Sequence, residues 1–372
     1  MRVLFAGGGT AGHITPALAI AERLTEENAN NVTALVGREG GDENRAVISR
    51  GMKLYTLKVR GFSRKDLFGN FKTLSLTVKA LGEAKKIIND FLPDIIVGTG
   101  GYVCWPILKA GMKMGIPCVI HESNIYPGLV TRLMAKRLNL TLLSAEESLK
   151  FIPKIKRWKV VGTPVSSEFF KKTRAEARKE LGIKNGELFI LSFGGSLGSE
   201  RLNEAVIDMM NTYSEKSRNI KHVHSIGRRY FDEISKDYPD LVSGKGGCKI
   251  RPYIDNMPTH ILASDIVICR AGAMTISEVC AAGAVSVLVP SPNVKDNHQF
   301  KNASALSEGG AAVLLEEKDL KNELENTVKG LLGSAKRRYE ISECARKFCK
   351  PDTQKAICEE LKNTVKEKRG EK

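Results

Sequence analysis

A chain of 372 residues is too long for one compact core and about right for two domains, and a hydrophobic share of 42% can fill both. A formal charge of +16 calls for an anionic partner, yet with 6% aromatics and no zinc-finger, helix-turn-helix or RNA-binding signature the sequence argues against nucleic acid. The eight cysteines include no C-x-x-C pair and read as small buried hydrophobes in a reducing compartment; with no run of roughly 18 apolar residues and no charged-then-apolar leader, a cytoplasmic protein is expected.

The first element is an apolar strand from Val3 that breaks at Gly7-Gly8-Gly9 and passes through Thr10-Ala11-Gly12-His13 into a Pro-initiated helical pattern, Ala17-Leu18-Ala19-Ile20 up to Leu24. Gly7, Gly9 and Gly12 satisfy G-x-G-x-x-G, but the next strand, Val32 to Val36, runs into Gly37-Arg38. A dinucleotide fold wants an acid there, so a dehydrogenase is disfavoured. His13 sits at a helix N-terminus, where an anion is held, and histidine is poised to take a proton near neutral pH. The plain alternative is a helix-cap histidine without chemistry.

A third strand near Leu54 to Val59 follows, and the strand-helix alternation is that of a parallel sheet covered on both faces. Between Arg60 and Lys86, the apolar residues Phe62, Leu67, Phe68, Phe71 and Leu74 interleave with Arg60, Arg64, Lys65 and Lys72. That composition suits the headgroups of an anionic bilayer, against the alternative of a solvated surface loop. Pro93 to Val97 then ends in Gly98-Thr99-Gly100-Gly101-Tyr102, a second glycine turn that opens on the same sheet edge as the first. The next strand, Pro117 to Ile120, leads into His121-Glu122-Ser123-Asn124, polar groups that must be locked in a network or face a ligand. A last strand and a hinge are expected at Val160-Val161-Gly162-Thr163-Pro164.

The pattern then restarts. Leu188 to Phe193, Gly194-Gly195-Ser196-Leu197-Gly198 and a helix from Arg201 repeat the opening unit, which makes the chain two Rossmann-like halves with a cleft between them. Further strands are expected at Lys221 to Ser225, Ile266 to Cys269, Val285 to Val289 and Ala311 to Leu315. Arg270-Ala271-Gly272-Ala273-Met274-Thr275 leads into a helix carrying Glu278, a carboxylate suited to sugar hydroxyls. Asn293 to Asn302 crowds amide, imidazole and carboxylate groups at a strand end, as recognition of a polyhydroxylated ligand would require. The tail from Lys336 is helical and charged, with Ile341, Cys344, Phe348, Ile357 and Leu361 available to pack on the body.

Taken jointly, Gly8-Gly9-Thr10-Ala11-Gly12-His13, Gly100-Gly101-Tyr102-Val103, His121-Glu122-Ser123-Asn124, Gly194 to Gly198, Arg270-Ala271-Gly272-Ala273-x-Thr275-x-x-Glu278 and Asn297-His298-Gln299-x-x-Asn302 resemble the MurG family of bacterial N-acetylglucosaminyltransferases, glycosyltransferase family 28. The motifs keep the family's order over nearly the whole chain. The resemblance implies an α/β, GT-B glycosyltransferase: two Rossmann-like domains facing across a cleft, at 1–162 (acceptor and membrane side) and 163–340 (UDP-sugar), with a C-terminal helix at 341–372 returning to the first. It implies inverting transfer of N-acetylglucosamine from UDP to the 4-hydroxyl of the muramoyl sugar of lipid I, giving lipid II for peptidoglycan, by a peripheral protein on the cytoplasmic face of the cell membrane. UDP-N-acetylglucosamine, lipid I and an anionic membrane surface are then the partners, and no cofactor is implied.

By position, the resemblance assigns the uracil to the backbone of Ile254, the ribose to Glu278 and the diphosphate to Gly195, Ser196, Thr275 and the Met274 backbone. Gln299, Asn302 and the Ala273 backbone would hold the sugar, and Thr10, Ala11, Gly12, Asn124 and Ser166 fall among the donor-binding positions. Gly9, Gly100, Gly101 and Tyr102 would take the acceptor pyrophosphate, and either His13 or Glu122 the proton. No D-x-D sequence occurs, so no metal site is expected and helix N-termini and backbone amides are left to stabilise the departing UDP. Ser166 stands where the family carries an arginine at the pyrophosphate, which Arg201 or Arg270 would have to replace, and Ser123 stands where glutamine is common. A relative acting on another lipid such as diacylglycerol, or a nucleotide-sugar-binding protein without catalysis, is the alternative.

Overall fold

The computed structural model describes residues 1–41, 44–59, 67–216, 219–294 and 297–371. Two compact units emerge, one formed by Met1–Ser166 with Asp352–Lys372, the other by Ser167–Pro351.

The first unit is a seven-stranded sheet whose strands are β1 (Arg2–Gly7), β2 (Val32–Arg38), β3 (Lys53–Leu57), β4 (Ile95–Gly100), β5 (Cys118–Glu122), β6 (Leu140–Leu143) and β7 (Trp158–Val160). Their order is β3-β2-β1-β4-β5-β6-β7, with every pairing parallel. Because strand side chains alternate, β1 feeds two cores at once. Val3 and Phe5 join Ile95 and Val97 beneath helix Ala11–Glu27, while Leu4 and Ala6 join Ile96 beneath helices Leu67–Phe91 and Cys104–Lys113. Helix Thr353–Arg369 completes the first core with Ile357, Cys358 and Leu361, all 0% exposed, and fixes its rim through Lys159–Glu360 at 2.7 Å and Arg369–Asp94 at 2.6 Å.

The second unit repeats the plan in a six-stranded parallel sheet of order β10-β9-β8-β11-β12-β13. The strands are β8 (Leu188–Phe193), β9 (Ile220–Ser225), β10 (Cys248–Arg251), β11 (Ile266–Cys269), β12 (Ser286–Leu288) and β13 (Val313–Leu314). Helix Ala335–Lys347 belongs here, with Ile341 in the core. The return to the first unit therefore falls at Pro351/Asp352, and the other boundary at Ser166/Ser167.

In each sheet the strand order reverses direction once, between β1 and β4 and between β8 and β11. Loops leaving the carboxyl ends of such strand pairs diverge and leave a crevice, which is where parallel sheets bind ligands. The basic and aromatic stretch begins outside the described residues at Arg60 to Asp66, and the side chains of 67–78, Phe68 and Phe71 among them, lie outside them too; so do Lys295 and Asp296.

Candidate active site

The two glycine turns of the first unit leave β1 and β4 and are stitched together at the reversal. Gly8 N–H donates to the Gly100 carbonyl at 3.3 Å, and Thr99 Oγ1 donates to the His13 carbonyl at 2.7 Å. The Cys104 thiol donates to the Ala6 carbonyl at 2.9 Å and accepts from Gly100 N–H at 3.2 Å. Burial raises that thiol to about 12, so it stays a neutral donor.

His13 is the third residue of helix Ala11–Glu27, half-buried, with Nδ1 2.9 Å from the Gly8 carbonyl. A carbonyl can only accept, so Nδ1 carries the proton and Nε2 keeps a lone pair. The ring lies flat against the second turn: a Cβ on Gly100 would stand 2.3 Å from His13 Cδ2, and one on Gly101 2.0 Å from the Gly8 carbonyl oxygen. With φ of +124° and +84°, both positions also demand a backbone that only glycine adopts cheaply. The helix carries no acidic residue in its first turn, so no side-chain carboxylate neutralises its positive end beside the imidazole, while the His13 N–H itself donates to the Thr10 carbonyl at 3.1 Å. Gly9 and Thr10 are exposed and Tyr102 is 43% exposed on the same two turns.

Glu122 ends β5 with 6% exposure and all four acceptor positions engaged. Oε1 accepts from the N–H and the side-chain amide of Asn124, both at 3.0 Å; Oε2 accepts from Gly128 N–H at 2.9 Å and Thr131 Oγ1 at 2.7 Å. A carboxylate so saturated shapes the 122–131 loop and orients Asn124. His121, fully buried, bonds through Nε2 to the Gly162 carbonyl at 2.9 Å, and burial lowers its pKa, keeping it neutral. Thus the polar run at this strand end is a locked network.

In the second unit the turn after β8 closes through Gly198 N–H to the Gly195 carbonyl at 3.1 Å, then enters helix Glu200–Lys216. The turn after β11 enters helix Ala273–Ala282, again with no acid in its first turn; Met274 is buried and Thr275 and Glu278 are half-buried along it. Gln299 Oε1 accepts from Ser291 N–H at 2.9 Å, and Asn302 Nδ2 donates to the Ala271 carbonyl at 3.4 Å, which ties helix His298–Glu308 to the β11 turn. Ile254 is buried, with 3% of the residue exposed.

The first half matches the glycosyltransferase family 28 N-terminal domain over residues 3–142 and the second the family 28 C-terminal domain over 189–357. The chain belongs to glycosyltransferase family 28. Within that family it is 37% identical to the UDP-N-acetylglucosamine–N-acetylmuramyl-(pentapeptide) pyrophosphoryl-undecaprenol N-acetylglucosamine transferase of Thermoanaerobacter sp. strain X514, over 98% of this chain and 100% of that one. It is 38% identical to the protein of that name from Ruminiclostridium cellulolyticum, over 87% of this chain and 88% of that one. Among solved structures it is similar to Acinetobacter baumannii MurG, with TM-score 0.68 and 25% identity over 97% of this chain and 99% of that one.

Ser166, placed among the donor ligands by its position in the motif, is 5% exposed and its hydroxyl lies 3.4 Å from Glu22 Oε2 within the first unit. Of the two arginines able to replace the missing one, Arg270 has its guanidinium committed to Ser199 Oγ, to Glu317 and to the carbonyls of Val289 and Pro290 at 3.3 and 3.2 Å. Arg201, with 71% of its side chain exposed and Glu317 no nearer than 3.9 Å, has reach left over. Thr99, Cys104, Thr131 and Ser199 hold the site together yet carry no signal in the sequence, since each acts through a partner distant along the chain.

Proposed function

We propose that this family 28 enzyme transfers N-acetylglucosamine from UDP-N-acetylglucosamine to the 4-hydroxyl of the muramoyl sugar of lipid I, inverting the anomeric carbon and releasing UDP. His13 Nε2 takes the proton of the attacking hydroxyl. The observation that carries this is the fixed tautomer: Nδ1 is spent on the Gly8 carbonyl, so the lone pair on Nε2 is held in place beside a helix N-terminus. The two glycine turns bind the acceptor pyrophosphate there, and the positive helix end offsets part of its charge. Glu122, with no acceptor position left, positions Asn124 and leaves the proton to His13.

As the new glycosidic bond forms at C1, the bond from C1 to the UDP oxygen breaks and the diphosphate gains charge. The Gly195–Gly198 turn and the N-terminus of helix Ala273–Ala282 receive it, Arg201 supplies the cation that Ser166 cannot, and Glu278 binds the ribose. Gln299 and Asn302 hold the sugar.

No helix among the described residues is long and apolar enough to cross a membrane. A lipid-linked acceptor still requires contact with a bilayer. The charge of +16 and the aromatic-basic composition of Arg60 to Lys86 support peripheral binding to an anionic surface, on the cytoplasmic face where UDP-sugars are available. Replacing Phe68 and Phe71 with serine lowers co-sedimentation with anionic vesicles; unchanged co-sedimentation would remove that loop from the membrane contact.

The test of the base is His13→Ala with two readouts. UDP-N-acetylglucosamine affinity by titration calorimetry stays within about twofold, while turnover falls on the order of 100-fold or more. Equal loss of binding and turnover would contradict the assignment.

A further inference from the structure

Beneath the donor-side turn of the second unit lies a polar chain that the chemistry above does not use. Ser192 on β8 and His222 and His224 on β9 are 0% exposed, and Asn203 in helix Glu200–Lys216 is 1% exposed. Ser192 Oγ lies 2.7 Å from His222 Nε2 and 2.8 Å from His224 Nδ1; His224 Nε2 lies 3.1 Å from Asn203 Oδ1; Asn203 Nδ2 lies 2.9 Å from the Ile226 carbonyl oxygen.

The far end fixes the direction at Asn203. The Ile226 oxygen can only accept, so Asn203 presents its NH2 there and its oxygen to His224, whose Nε2 must then carry the hydrogen. His224 Nδ1 meets both the hydroxyl and, at 3.1 Å, the carbonyl oxygen of Ser192, and the same hydroxyl meets His222 Nε2. His222 Nδ1 has no partner among the described residues. Burial keeps both rings neutral, with His224 lowered to about 4 and His222 well below its ordinary value.

What this chain holds is a backbone contact. Ile226 and Gly227 form the turn on which Gly198 rests: a Cβ on Gly198 would stand 2.1 Å from the Ile226 oxygen, and one on Gly227 2.6 Å from Gly198 N. Both glycines have positive φ, +75° and +88°. Asn203 also donates its own N–H to the Ser199 carbonyl at 2.8 Å. One residue therefore ties the start of the helix by its backbone N–H and the 226–227 turn by its side chain and, through that turn, the 195–198 turn.

An apolar β8–β9 interior would pack as well without the desolvation of two imidazoles, so packing alone does not account for the arrangement. An Asn203 amide held against His224 adds one thing that apolar packing lacks, a fixed donor for the Ile226 carbonyl. Anion recognition by backbone N–H groups depends on such placement, because a displacement of a fraction of an ångström weakens each bond.

We infer that His224, acting through Asn203, is a positioning residue for the donor diphosphate, setting where the Gly195–Gly198 turn presents its N–H groups. The inference rests on the reading that this turn holds the diphosphate. The full chain is titrated with UDP by calorimetry and assayed for KM and kcat with UDP-N-acetylglucosamine, as wild type and as Ser196→Asp, His224→Leu, His224→Gln and Ser192→Ala. Ser196→Asp places a negative charge on the turn and abolishes UDP binding if the reading is right. His224→Leu raises the UDP Kd and the donor KM about tenfold with the acceptor KM unchanged, whereas His224→Gln, whose amide can still donate to Asn203, recovers most of the affinity. Loss with Ser196→Asp but an unchanged Kd in His224→Leu, or equal weakening by His224→Leu and His224→Gln, overturns the inference alone. Retention of UDP affinity in Ser196→Asp overturns the reading of the turn as well. Should His224→Leu fail to fold, Ser192→Ala carries the same test: about threefold weaker UDP binding supports the inference and an unchanged Kd overturns it.

Discussion

His13 and Gly100 make a single unit of chemistry, because the imidazole has the position it does only while no side chain stands opposite. Gly100→Ala puts a methyl 2.3 Å from His13 Cδ2 at a φ of +124°, so the ring must turn away. Turnover of Gly100→Ala is expected to fall about as far as that of His13→Ala, with UDP affinity preserved; a fully active Gly100→Ala would show that the ring's placement is immaterial. Glu122→Gln tests the other polar residue. An amide nitrogen replaces one oxygen and meets two donors, so folding stability drops by about 3 kcal/mol in urea denaturation of the first unit. A Glu122→Gln protein of wild-type stability and no activity would return Glu122 to the role of base. Glycine spacing and the histidine behind it were legible in the sequence because both lie within one turn of chain. Glu122's saturation was not, since its donors at Gly128 and Thr131 arrive six and nine residues later. Nor was Arg270's: its partners Ser199 and Glu317 are 71 and 47 residues away.

Among elements, the long apolar runs that end in glycine were read correctly from their pattern, and two short strands were not. Leu140–Leu143 is four buried residues with no turn signal of its own, and Cys248–Arg251 buries only alternate positions within a polar neighbourhood. Pairing with β5 and with β9 makes them strands, and pairing is not a local property. The last strand of the first sheet lies at Trp158–Val160, at the leading edge of the strand and hinge expected over Val160-Val161-Gly162-Thr163-Pro164, and beyond it the Gly162 carbonyl accepts from His121 Nε2. Helix Thr353–Arg369 offers the sharpest test at this scale. Ending the chain at Pro351 uncovers Ile357's, Cys358's and Leu361's place in the first core, each apolar side chain contributing about 2 kcal/mol. Calorimetry of the shortened chain should show the first unit's transition lowered or lost and the second unit's retained, with UDP binding; a first unit that melts as before would contradict the packing.

The whole molecule adds behaviour that no single element has. Its buried histidines have depressed pKa values: His224 falls to about 4, and His222, His121 and His260 shift the same way, each chiefly through burial. In the unfolded chain these rings titrate near 6.5. Neutral burial therefore stabilises the fold fully above that pH, and the stabilisation is lost as pH falls below it, for His224 at about 1.4 kcal/mol per pH unit down to about 4. Three of the four lie in the second unit, so between pH 7.5 and 5 its melting transition should fall more than the first unit's, and His222→Phe with His224→Gln should flatten the difference. Equal shifts of both transitions would contradict this. The two-Rossmann architecture was evident from the repeated strand-glycine-helix unit, since repetition survives any error at element boundaries. The surplus of positive charge announced an anionic partner without naming it, because charge sets affinity for a class and only a shaped site selects a member. The measurement that bears most directly on the account is transfer of labelled N-acetylglucosamine from the UDP-sugar to a soluble lipid I analogue, with diacylglycerol as a parallel acceptor. Transfer to the lipid I analogue alone, lost in His13→Ala, is the predicted result; transfer only to diacylglycerol, or to neither, would contradict it.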